Sequence, residues 1–125
     1  MRILGIDPGE KNIGLALMEA GIINTLPTLS GPWKKSFSQL EKIARQEQVG
    51  KVVVGISEGK SAQFSQKFAT RLGNVLKLPI ILIDETLTTF EAKKLRPKRE
   101  VIDSVAAALL LKKYWQKKEG GKEDV

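Results

Sequence analysis

The 125-residue chain predicts an α/β fold: a mixed five-stranded sheet that opens as an antiparallel meander, continues with parallel strands and carries helices on both faces. Three observations lead there. Apolar runs at 3–6 and 13–18 flank a short polar loop containing Gly9, as in a β-hairpin. The runs at 51–56 and 79–83 are continuous rather than alternating, which suits strands buried on both faces. Between and after them, apolar residues recur at helical spacing.

Taken in order, the first strand ends on Asp7, and Pro8-Gly9 turns the chain into the second. Gly9 tolerates positive φ and lets a ligand approach the backbone. Residues 21–26 form a short third strand, and Pro27 to Pro32 read as a loop. Ser36 is placed to cap a helix with Phe37, Leu40, Ile43 and Ala44 on one stripe, ended by Gly50. The strand at 51–56 leads through a polar loop with Glu58 and Lys60 into a helix carrying Phe64, Phe68, Leu72 and Val75/Leu76. The last strand ends in Asp84-Glu85. Thr88 or Thr89 caps a short helix with Phe90 and Leu95, and Arg96-Pro97-Lys98-Arg99 breaks it. A final helix covers about 101–115, with small residues at 104 and 106–108 that let its backbone lie close to a sheet. Residues 1–117 make one domain, and 118–125 a disordered tail.

Composition removes several chemistries. No cysteine or histidine is present, so disulfides, thiol nucleophiles and imidazole bases are excluded. Catalysis must rest on carboxylates, lysines, hydroxyls or a hard cation bound by oxygen. The N-terminus is neither a secretory signal nor a membrane span, so a cytoplasmic protein with no membrane partner is expected. The net charge is +7, and nine basic residues between Lys93 and Lys118 face only Glu100 and Asp103. Such a field attracts polyanions, nucleic acid above all.

In open sheets of this kind, sites form beyond the carboxyl ends of the parallel strands. The acids there are Asp7, Glu58 and Asp84-Glu85, and Asp103 stands early in the final helix. Each has a plain structural alternative: a turn, a cap or a solvated position. A gathering of about three carboxylates without His or Cys suits Mg²⁺ or Mn²⁺. One or two such ions can activate water and stabilise the leaving oxygen of a phosphodiester.

Four blocks carry a family resemblance: GIDPGEKNIGLAL at 5–17, VVVGISEG at 52–59, IDETLTTFEA at 83–92 and IDSVAAALLLKKYW at 102–115. Together and in this order they resemble the YqgF family of RNase H-like proteins, described as Holliday-junction resolvases or pre-16S ribosomal RNA nucleases. The resemblance implies an RNase H-like fold and a metal-dependent endonuclease acting on structured RNA, including ribosomal precursor particles, or on branched DNA. It implies that Asp7, Glu85 and Asp103 are the catalytic, metal-holding acids. Glu58 is a rival ligand, and Gly9, Asp84, Thr88 and Thr89 have supporting roles. Lys11 matches a basic position of the first loop. Thr86 stands where the family usually has Arg, and Lys60, Arg96 or Arg99 could replace that contact. Lys93, Lys94 and Lys98 complete the expected nucleic-acid-binding set. Two other classes fit parts of the chain: a non-catalytic RNA-binding or ribosome-assembly module, and a nucleotide-binding enzyme of the actin or sugar-kinase type.

Overall fold

The computed structural model describes residues 1–9, 11–30, 33–56, 60–84 and 99–121; of these, the side chains of 33, 60–62, 99–103 and 119–121 lie outside the description. The elements are β1 (Arg2–Pro8), β2 (Asn12–Glu19), β3 (Ile22–Ser30), α1 (Trp33–Gln46), β4 (Val49–Ile56), α2 (Lys60–Leu76), β5 (Ile80–Asp84) and α3 (Arg99–Gly121). The strands form one sheet in the order β3-β2-β1-β4-β5. β1, β2 and β3 are antiparallel neighbours, while β1, β4 and β5 run parallel. This is the mixed sheet expected, with the first strand at its centre.

Strand alternation divides the core in two. On one face Leu4, Ile6, Leu15, Val52 and Val54 pack under α1 and α2, against Phe37, Leu40, Phe68 and Leu72. Phe37 and Phe68 stack with centroids 5.2 Å apart, joining the two helices. On the other face Ile3, Ala16, Met18, Val53 and Ile83 pack under α3, against Ala107, Leu110, Leu111 and Tyr114. Val52, Val53 and Val54 are all fully buried, as a strand covered on both sides requires.

The tightest approach is at Gly5. A Cβ there would lie 2.6 Å from Leu111 Cγ and 2.9 Å from the carbonyl oxygen of Ala107. Ala16 beside it and Ala107 above it are also small and buried. Two polar clamps fix the helix further along. Lys51 Nζ donates to Tyr114 Oη at 3.0 Å, and Lys51 pairs with Ile3. Ser104 Oγ donates to the Leu26 carbonyl of β3 at 2.8 Å and accepts from Thr28 Oγ1 at 3.0 Å. Tyr114 is thus level with Ile3, and Ala107 and Leu111 with Gly5. α3 therefore runs antiparallel to β1, with its start fixed to β3 at the end of the sheet where β1 finishes.

Several sequence expectations are corrected. β3 does not stop at Leu26 but runs on to Ser30, through Pro27. Proline is tolerated because β3 is an edge strand and the register slips there: Leu15 pairs with Leu26, but Ile13 with Leu29. Ser36 is not a cap. It is buried within α1, which begins three residues earlier at Trp33. Gly50 does not end that helix; it belongs to β4, and the left-handed residue is Gln48, with φ 53°. Val75 is an exposed neighbour of the α2 stripe, and Leu76 packs on the core. β5 is half-buried rather than buried, with Leu82 47% exposed on this edge strand. α3 begins at Arg99 and continues to Gly121, so the tail expected to be disordered from residue 118 is helical to that point. Gln116, Lys117, Lys118 and Glu119 are all good helix formers. The short helix expected after Thr88 lies outside the described residues. Among the described residues, no helix is long and apolar enough to cross a membrane.

Two stability predictions follow from this packing. Gly5→Ala must push α3 away from β1, because the Ala107 carbonyl cannot swing aside. A loss of about 1–3 kcal/mol is expected by urea denaturation, and an unchanged midpoint would contradict the close approach. Ser104→Ala deprives the Leu26 carbonyl of its donor and should cost about 1–3 kcal/mol. A variant as stable as the parent would show that this clamp does not hold α3.

Candidate active site at the carboxyl end of the sheet

The candidate site is the end of the sheet where β1, β4 and β5 finish side by side. Ile6 pairs with Val54, Val54 with Leu82, and Ile56 with Asp84. Asp7, one residue past Ile6, is therefore nearly level with Asp84 across β4. Two strand spacings put their backbones about 10 Å apart. Alternation separates their faces. Asp7 follows Ile3 and Gly5 on the α3 face and is half-buried. Asp84 follows Ile83 and faces the other layer, exposed. Lys113 Nζ donates to the Asp84 carbonyl oxygen at 3.0 Å, which ties α3 to this end of β5.

The loop after Asp7 has its own constraint. The amide of Gly9 donates to the Asn12 carbonyl at 3.0 Å, and a Cβ on Gly9 would lie 2.5 Å from that oxygen. Glycine is required by this closeness and not by a left-handed backbone: Gly21 is the one positive-φ glycine among the described residues. Lys11 is exposed in the same loop.

Asp103 lies in α3 one helical turn before Ala107, the residue whose carbonyl lies against Gly5. Asp7 lies two residues beyond Gly5 along β1. One helical turn advances about 6 Å and two strand residues about 7 Å. The backbones of Asp7 and Asp103 thus both lie toward the carboxyl end of β1 from this contact, while Ser104, next to Asp103, is fixed to β3. Glu58, Glu85, Thr88, Thr89, Lys93, Lys94, Arg96 and Lys98 lie outside the described residues. Lys60 and Arg99 open α2 and α3, and their side chains are likewise outside the description. Among the described side chains, no three acids stand close enough to hold a metal ion.

A feature not legible in the sequence adjoins this end. A cleft of about 520 Å³ opens between the start of β2, the bulged half of β3 and α3, lined by Asn12, Thr25, Leu26, Pro27, Thr28, Ser30 and Ser104. It depends on the bulge, which no local pattern announced; Pro27 within an otherwise β-forming stretch was the one available signal.

Comparison with known proteins gives a consistent result. Residues 1–117 match the family model described as "RuvX: Holliday junction resolvase". A protein of Pelotomaculum thermopropionicum named "Putative pre-16S rRNA nuclease" is 37% identical, across 91% of this chain and 86% of its own length. A relative of the same name from Thermoanaerobacter pseudethanolicus is 36% identical, across 91% and 95%. Among solved structures, T. thermophilus RuvC in complex with a Holliday junction substrate superposes with TM-score 0.66 at 13% identity, covering 93% of this chain and 95% of that one. The fowlpox virus Holliday junction resolvase gives TM-score 0.58 at 12% identity, covering 95% and 99%. These likenesses establish the RNase H-like fold that the family resemblance implied. With a family model spanning nearly the whole chain and relatives above one-third identity, the chain belongs to the RuvX Holliday junction resolvase family, nucleases that hydrolyse ester bonds of nucleic acids.

Proposed function

We propose that the chain is a divalent-metal-dependent endonuclease of the cytoplasm that acts on structured nucleic acid, with the 5′ end of the 16S ribosomal RNA precursor as its principal substrate and branched DNA as the alternative. The observation that carries this reading is the contact of Gly5 with Ala107, from which Asp7 and Asp103 advance toward one end of the sheet. The names of the relatives favour the ribosomal precursor; the family description favours the junction.

The donor set fits a hard cation. The chain has no thiolate or imidazole to offer, and the carboxyl ends of three adjacent strands run into acids. Asp7, Glu85 and Asp103 would hold Mg²⁺ or Mn²⁺. Asp84 faces the opposite layer from Asp7, which counts against it as the second ligand; Glu58 remains a rival to Glu85. When bound, the cation would neutralise phosphate charge and ease deprotonation of water. The protein's own part is electrostatic and positional. Gly9 keeps the first loop tight, so that the backbone beside Asp7 admits a bulky phosphate. Lys11, Lys60 and Arg99, with the lysines and arginine at 93–98, would hold flanking phosphates without reading sequence. Hydrolysis adds water at phosphorus and breaks the bond to the 3′ oxygen, which departs with a proton. The products are a 5′-phosphate and a 3′-hydroxyl.

The test is cleavage of a 16S precursor RNA and a four-way DNA junction, side by side, in Mn²⁺. The parent protein should cut at least one. Asp7→Asn, which conserves shape and removes charge, should lower the rate by at least about a hundredfold, the size of effect expected for loss of a group acting in the transition state, while the circular dichroism spectrum and melting remain those of a folded chain. An Asp7→Asn protein cutting at the parental rate would refute the assignment. Affinity for either substrate should also fall steeply with added salt, and salt-independent binding would exclude a phosphate-docking surface.

A further inference from the structure

We infer that the cleft between β3 and α3 is a nucleoside subsite that reads the ribose 2′-hydroxyl, so that this protein discriminates RNA from DNA beside its catalytic end. The inference rests on the nuclease reading above and specifies its substrate.

Position comes first. Asn12 pairs with Ser30, and Asp7 pairs with Gly14, two residues from Asn12 along β2. The cleft therefore lies two strands from β1, about 10 Å away, and extends past the level of Asp7. It opens on the same face of the sheet. Thr25 pairs with Ala16, which packs under α3, and Thr28 bonds to Ser104 of α3. A chain with a phosphate on the exposed Lys11, in the loop between Asp7 and Asn12, would carry a neighbouring nucleoside over this cleft.

Its chemistry selects the part of the nucleotide it would hold. The described lining contains no charged side chain, so it offers no cation to draw a phosphate in. It offers neutral groups that both donate and accept: the amide of Asn12 and the hydroxyls of Thr25 and Ser30. The 2′-hydroxyl is likewise donor and acceptor, and is the group by which a site tells RNA from DNA. The exposed ring of Pro27 adds an apolar wall for the sugar or base face.

The bulge creates this lining. Leu26 and Leu29 both pack toward the α1–α2 core, although three residues apart. The extra residue between them resets the alternation, so that Thr28 and Ser30 fall on the α3 side with Thr25. Thr28 is then locked to Ser104, and Ser104 to the Leu26 carbonyl, forming a fixed floor.

The test measures binding by fluorescence anisotropy in EDTA, using a short single-stranded RNA and a DNA of the same sequence with uracil in both. Thr25 and Ser30 are exposed, so Thr25→Val and Ser30→Ala should leave the fold intact. The parent should prefer RNA by about tenfold or more. Each variant should lose about two- to tenfold in affinity for RNA, the worth of one hydrogen bond, and less than twofold for DNA. Equal losses on both strands, no loss on RNA, or a parent without RNA preference would each overturn the subsite. Because no cleavage is read and no cation is present, an inactive Mn²⁺ assay would count against the nuclease reading without deciding this result.

Discussion

The absence of a side chain at Gly5 is the constraint on which the arrangement of this molecule depends. It lets the backbone of α3 settle against the middle of the central strand, and the small residues Ala16 and Ala107 extend the same close surface. With that height fixed, Tyr114 can meet Lys51 at one end and Ser104 can meet β3 at the other. The helix is thereby held in register as well as in place. Its start is fixed to β3 at the end of the sheet where β1 finishes, one residue past the half-buried Asp7. A larger residue at position 5 would act on the site through the helix, without touching either acid.

The opposite layer does different work. Phe68, Leu72, Phe37 and Leu40 fill the space under α1 and α2, and close packing there fixes the sheet itself. β4, with valines buried against both layers, transmits that order to β1 and β5. A divalent ion between carboxylates requires ligands held within a fraction of an ångström. A strand buried on both faces and a helix clamped at both ends are suited to give that.

Much of this was legible from the residues. The unbroken apolar runs of β1 and β4 admitted few alternatives, and the 3.6-residue stripes of α1 and α2 located both helices. The small residues of α3 foretold its close approach. Acids at successive strand ends made this end of the sheet the candidate site, because sheets of this type place ligands there. What escaped had a tertiary cause. Ser36 had the chemistry of a cap, but burial against the core put it inside its helix. Gly50 had the flexibility of a helix stop, yet strand pairing claimed it and Gln48 took the left-handed conformation. Pro27 ended a strand by local rule, whereas an edge position and a bulge let the strand continue. That bulge also made the cleft, so the cleft could not be foreseen without it.

The central claim is that Asp7 and Asp103 serve a single divalent ion. Titration calorimetry with Mn²⁺ on the parent, Asp7→Asn, Asp103→Asn and the double variant tests it most directly. Two ligands of one ion give losses that are strongly non-additive: each single change should remove most of the affinity, and the double variant should lose little more. Independent, additive losses, or parental affinity in either single variant, would contradict a shared site.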